Sequence, residues 1–295
     1  MSTAEKYKLP KAVLVELTRR SDVKGLLQLS GHLFAMLLAG LAFEMSQGLL
    51  GVAALLLYGA LLTFLFAPLH ETIHFTAFKS AWLNNAVAAF CGFLLFLPYR
   101  YFRAYHYAHH RHTQNPEKDP ELLYREALTR RNYLYQISGS GYWISGFKNL
   151  WEHACGIVSD EFIDVSKHAV IILEARIHLA IYLVLLLLSL ILSNAFLWWY
   201  WILPAILTQP LLRLFLIAEH SGCDQSDNML ENSRTTYTTP LIGFISWNMC
   251  YHAEHHFLAS VPFHALPALH AYTGQQVKYR GDGYYQVNRE IASQI

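Results

Sequence analysis

Charge is in short supply: Lys, Arg, Asp and Glu make up 15% of the 295 residues against 54% hydrophobic ones, and the formal net charge is +1. No long basic run exists, so nothing in the sequence points to a nucleic-acid partner. Cysteine is scarce too. Cys91, Cys155, Cys223 and Cys250 lie far apart without a C-x-x-C, which leaves no set for an iron–sulfur cluster and fits reduced cytoplasmic thiols. No G-x-G-x-x-G precedes a helix, so a fused flavin domain is not expected. Without internal repeats or a low-complexity linker, residues 1–295 read as one domain. Charges interrupt any apolar core before Gly25, so the first thirty residues do not read as a secretory signal.

Long apolar runs are plentiful. Gly48 to Phe66 is nineteen residues without a charge and Ile177 to Ser193 is seventeen. At about 1.5 Å per residue both approach the ~30 Å hydrocarbon thickness of a bilayer. Gly25 to Phe43, with Gln28, Ser30 and His32, and Ala195 to Leu212, with Pro204 and Pro210, complete a set of four spans. Ala81 to Pro98 carries Asn84, Asn85 and a Cys91-Gly92 break, so it reads as a re-entrant or interfacial hairpin. The cationic segments then fall on one side: Lys6, Lys8, Lys11, Arg19, Arg20 and Lys24 before the first span, the middle region, and the tail after Arg213. The positive-inside rule puts both termini and the middle region in the cytoplasm. Trp198, Trp199, Tyr200 and Trp201 read as an interfacial belt, and Phe263 to Tyr272 as an amphipathic segment lying along the membrane.

Histidine is what this sequence has in excess. His70 and His74 form H-x-x-x-H; His106, His109 and His110 form H-x-x-H-H; His252, His255 and His256 repeat that pattern; His220 stands alone after the fourth span. All nine fall on the expected cytoplasmic side. Residues at i, i+3 and i+4 share a helix face, so each cluster can aim two or three ring nitrogens at one point. Nine imidazoles oversupply a single zinc, which takes three or four protein ligands. Two six-coordinate metals would use nine and keep three positions for water, a bridging oxygen or dioxygen. Imidazole alone does not choose iron over copper, nickel or zinc.

The neighbours get more ordinary readings. His112 would be turned off the ligand face of its helix; His32, His153, His168, His178, His264 and His270 have no clustered partners; Cys223 and Cys250 read as packing residues. Glu71, Glu219 and Glu254 each adjoin a candidate ligand and could take its second N–H, or simply be solvated carboxylates. Asp119 and Glu121 sit in a Pro-bounded loop, where turn formation competes with support of the site. Arg100, Arg103 and Arg234 are candidates for a carboxylate or phosphate head group, although membrane anchoring explains the first two nearly as well.

With "HETIH", "YHYAHHRHTQNPEKDPE" and "NMCYHAEHHFLASVPFHALPALH" in view, the chain resembles the membrane fatty acid desaturase and hydroxylase superfamily from about His70 to His270, and its compact size resembles the bacterial members. The resemblance implies an all-α integral membrane protein of about four transmembrane helices plus the hairpin, with a cytosolic helical cap holding a dimetal site. It implies two non-haem irons, dioxygen as co-substrate, a fatty acyl substrate in a greasy tunnel, and an external electron donor such as ferredoxin or a reductase. His220 is similar to the family's extra ligand between the second and third boxes. A bacterial inner membrane is the expected location.

Removing one hydrogen from an unactivated methylene leaves a radical with three exits. Loss of the neighbouring hydrogen gives an alkene and return of oxygen an alcohol. Near a carboxylate, loss of carbon dioxide gives a 1-alkene. One histidine set serves all three, so desaturation leads, with alkene-forming decarboxylation and hydroxylation as alternatives. A metal transporter would place ionisable ligands at a shared depth within the spans, whereas the nine clustered histidines, unlike His32, gather on one face outside them.

Overall fold

A computed structural model describes residues 9–123 and 129–295; Lys6 and Lys8 of the cationic segment lie outside them. A short helix α1 (Lys11–Leu17) leads to α2 (Asp22–Met45), whose first turn is capped by Ser21 Oγ accepting from the Lys24 N–H. Only Gly25, His32 and Ala39 of α2 are buried, a stripe at heptad spacing that leaves the remaining apolar surface for lipid. His32 Nε2 donates to the Leu61 carbonyl at 2.8 Å, a packing role inside the apolar region. Helices α3 (Gly48–Thr63) and α4 (Phe66–Ile73) form a second apolar path of 26 residues.

Helices α5 (Ala81–Leu94) and α6 (Tyr99–His112) meet at 101°, but the bend falls between Leu94 and Tyr99, beyond the Cys91-Gly92 pair where it was expected, because α5 runs unbroken through both residues. Helices α7 (Arg130–Ser138) and α8 (Ser140–Ala154) precede α9 (Val165–Ile191), the third long apolar helix. A π-turn at Trp198–Ile202 opens α10 (Leu203–His220), the fourth. Trp198 and Trp199 are exposed, as a belt requires, but Trp201 is buried and donates to the Leu94 carbonyl at 2.7 Å. It packs the core instead.

The rest of the chain is a small cap of β1 (Arg234–Thr236), α11 (Pro240–Ile245), α12 (His252–Phe257), a 3-10 turn at Phe263–Ala265, α13 (Leu266–Thr273), β2 (Tyr279–Gly281) and α14 (Tyr284–Ser293). The two strands pair in parallel, Arg234 opposite Tyr279.

The long helices outrun their apolar sequences. The second continues past Phe66 to Ile73, the third begins at Val165 instead of Ile177, and the fourth continues past Leu212 to His220. Hydrophobicity sets where lipid begins, but backbone hydrogen bonding carries a helix on while its residues still find partners. His70 and His220 therefore sit on rigid helical extensions.

Helices α3 and α10 meet closely at Gly59, where an added Cβ would lie 2.7 Å from Thr208 Cγ2 and 2.8 Å from the Pro204 carbonyl oxygen. Gly59→Leu is expected to cost about 1–3 kcal/mol through overpacking, read as a lowered melting temperature in detergent. An unchanged melting temperature would show that the crossing can widen freely.

Candidate metal centre

The nine histidines come together as two groups: His70, His74, His106, His110 and His255 in one, and His109, His220, His252 and His256 in the other. Within each, ligand-capable nitrogens lie within 4.8 Å of one another. Each H-x-x-H-H box is shared between the groups. His106 and His110 join the first and His109 the second, whereas His252 and His256 join the second and His255 the first. Helix geometry explains this: at about 100° per residue, i and i+4 lie about 40° apart but i+3 and i+4 about 100° apart. Of the two or three rings that each H-x-x-H-H box could aim at one point, the fold aims two, the i, i+4 pair, at one group and the third at the other.

The ring nitrogens face one another across each group. His110 Nε2 lies 2.9 Å from His106 Nε2 and 3.0 Å from His255 Nε2, and His220 Nε2 lies 2.9 Å from His252 Nε2 and 3.2 Å from His109 Nε2. Both nitrogens of His70, and one each of His74 (Nε2), His255 (Nδ1) and His256 (Nε2), are buried without a hydrogen-bond partner. Orphaned imidazole nitrogens in a dry interior are costly unless a further group takes their lone pairs. The donor set fits two metal ions.

Burial also keeps rings in the neutral, ligating form. It pulls His74 down to about 3, helped by Arg103 and His109, and holds His252, His255 and His256 well below the usual 6.5. Because the folded values lie below the unfolded one, the unfolded chain takes up protons first as pH falls. The stability they confer is fully present above pH 6.5 and is lost on acidification, by about 1.4 kcal/mol per ring per pH unit until the folded ring protonates. Metal-free protein in detergent should melt at steadily lower temperature from pH 7 to 5; a flat profile would mean that water reaches the rings.

Hydrogen-bond partners hold the second group firmly. Asp119 Oδ1 accepts from His109 Nδ1 at 2.9 Å, and the His220 Nδ1 atom is 3.1 Å from the Asn232 carbonyl. Glu219 Oε1 stands 3.2 Å from His252 Nδ1, a polar contact out of line for a hydrogen bond. Glu71 and Glu254, expected to serve the ligands beside them, bind elsewhere. Glu71 accepts from Thr76 Oγ1 at 2.9 Å and the Phe263 N–H at 3.2 Å, and Glu254 is held between Thr235 and His270, both at 2.5 Å. On a helix a residue one or two positions from a ligand is turned about 100–200° away from it. His112 stands outside both groups.

The arginine candidates divide. Arg234 is buried and donates to the carbonyls of Ala218 and Ser221, closing the end of α10, so it is committed inward and not to a head group. Arg103 donates to Asn85 Oδ1 at 3.0 Å and stacks over Phe75 at 4.3 Å, while exposed Arg100 donates to the Tyr99 hydroxyl at 3.2 Å. Residues that the sequence did not flag include Gln114, whose amide donates to the His220 carbonyl at 2.7 Å, and His270. Gln114, like Phe75, Trp247 and Asn248, has φ between 52° and 64°, a left-handed turn made without glycine beside a histidine segment. No local signal announces such turns.

The comparison with known families now decides the class: the sequence pattern of the family described as "Fatty acid desaturase" matches residues 47–288. The chain belongs to the fatty acid desaturase family. A relative, the dihydrorhizobitoxine desaturase of Bradyrhizobium elkanii, is 27% identical over 257 residues, covering 79% of this chain and 69% of its own. Both likenesses make this member of the desaturase family an oxidoreductase, with four helices apolar and long enough to cross a membrane.

Proposed function

We propose that the protein is a dioxygen-dependent di-iron desaturase of fatty acyl chains, carried chiefly by the convergence of nine imidazoles on two buried points at one end of the apolar helices. Two irons held there, with dioxygen, supply the power to oxidise an unactivated methylene. Two hydrogens leave the acyl chain, two electrons and two protons are added, and dioxygen ends as two waters. The electrons come from a separate ferredoxin or reductase. Phe64, Ala67, Leu212, Phe215 and Met249, with His70 and Glu219, line a small cavity of about 10 Å³, so that apolar side chains shield this flank of the centre from water. The site and both termini face the cytoplasm of a bacterial inner membrane in this reading, since the cationic residues share that side.

Mass spectrometry of acyl chains and headspace hydrocarbons from aerobic cells making the intact protein, beside cells that lack it, tests this reading. New internal double bonds support desaturation. A volatile 1-alkene or a hydroxylated chain would replace it with decarboxylation or hydroxylation at the same centre.

A further inference from the structure

Away from the histidines, a groove of about 1070 Å³ opens between the α1–α2 turn and α13. Arg19, Arg20, Lys24 and Lys79 line it, all exposed. Among the described residues none of these four enters an ion pair. Two carboxylates share the groove. That of Asp22 accepts from the Ser80 N–H at 2.8 Å and the Ser80 hydroxyl at 2.7 Å and keeps its charge, so that with Glu16 two anions stand against four cations. Val13, Leu17, Val23, Ala265 and Ala268 give the lining an apolar part, and Thr18, Ser21, His264 and Tyr272 complete it.

The groove sits at the start of the first long apolar helix, and beside it Val23, Leu26 and Leu27 are 66%, 43% and 70% exposed. A soluble anion would satisfy the cations and leave this flank bare; an acidic protein would meet cations interleaved with apolar surface. A molecule with a phosphate at one end and hydrocarbon at the other matches both features. We propose that the groove seats the phosphate head group of one anionic phospholipid, its acyl chains running along the Val23–Leu27 flank of α2. The site is separate from the histidine centre and rests on the membrane placement above, not on the reaction assigned to the metals. It would tie α1 and α13, and with them the cap, to the bilayer.

The test uses intact protein in mild detergent, washed free of loose lipid, offered equal phosphatidylglycerol and phosphatidylcholine and weighed by native mass spectrometry. Wild type should retain one phosphatidylglycerol per chain with about tenfold preference, and the combined R20Q/K24Q/K79Q variant should lose that preference at unchanged metal content. If this variant folds poorly, R19Q/R20Q serves in its place. No preference in the wild type, or an undiminished one in the variants, overturns the proposal. Displacement of the lipid by excess inorganic phosphate would reduce the groove to a simple anion site. Lipid retained by a variant that loses turnover only with an acidic ferredoxin would make it the donor's dock. A chain that binds no detergent would instead overturn the membrane placement.

Discussion

His255→Ala should lower product formation about 100-fold or more and take metal from the protein, whereas His112→Ala should leave both unchanged. His255 is fully buried, with Nε2 3.0 Å from His110 Nε2 and its ring centre 4.6 Å from that of His70 and 4.7 Å from that of His74. It is the one ring that box three lends to the five-histidine group, so alanine removes a donor that no neighbour on α12 can replace. Loss of a mere supporting partner at a metal site commonly costs 10–100-fold, and loss of a ligand should cost at least that much. His112 lies on the same helix as three of the candidate ligands but outside both groups, so it controls for losing any histidine from this segment. Metal content by elemental analysis and product by mass spectrometry give separate readouts. An active, fully metallated His255→Ala protein would remove His255 from the ligand set; an inactive His112→Ala protein would mean that the division into two groups is wrong.

The contrast between these two histidines also marks how far the sequence could be read. Spacing found eight of the nine imidazoles that the fold gathers, because i, i+3 and i+4 positions on a helix keep their relation whatever the helix packs against, and the isolated His220 came from the family resemblance. Four apolar runs found the four long helices, because burial in lipid is a property of composition. The sharing of each box between two groups was implicit in the same geometry, yet it needed the facing helices to show where the two points lie. The carboxylates were less legible. Glu219 reaches a histidine on a different element, while Glu71 and Glu254, each likewise next to a candidate ligand, turn away to Thr76, Thr235 and His270. Adjacency in a helix means divergence in space, so the partner of a ligand comes more often from another segment. Arg234 shows the same limit: its charge suggested a head group, and the orphan carbonyls at the end of α10 claimed it.

Asp119 is the case where a turn residue and a supporting residue are the same side chain. Oδ2 accepts from the Gln114 N–H at 2.8 Å and Oδ1 accepts from the Glu121 N–H at 2.9 Å, fixing the loop after α6, while Oδ1 also receives His109 Nδ1 at 2.9 Å. Burial alone would raise this carboxyl; the bond and charge of His109, with the two backbone donors, hold it below the ordinary value. As a carboxylate it only accepts, so it fixes the proton on Nδ1 and leaves Nε2 of His109 free to face His220. Asp119→Asn keeps the shape and removes the charge. Its amide must then present a donor either to His109 or to the Gln114 N–H, and both of those are donors already. We expect metal affinity of the four-histidine group to fall about 10–100-fold and activity with it, while the five-histidine group, which Asp119 does not touch, keeps its ion. Metal content should therefore drop from two toward one per chain instead of to zero. Excess iron should restore part of the activity, a rescue that simple loss of the loop's structure would not allow. If Asp119→Asn keeps two metals and full turnover, Asp119 is a turn residue alone, and His109 is oriented by its helix.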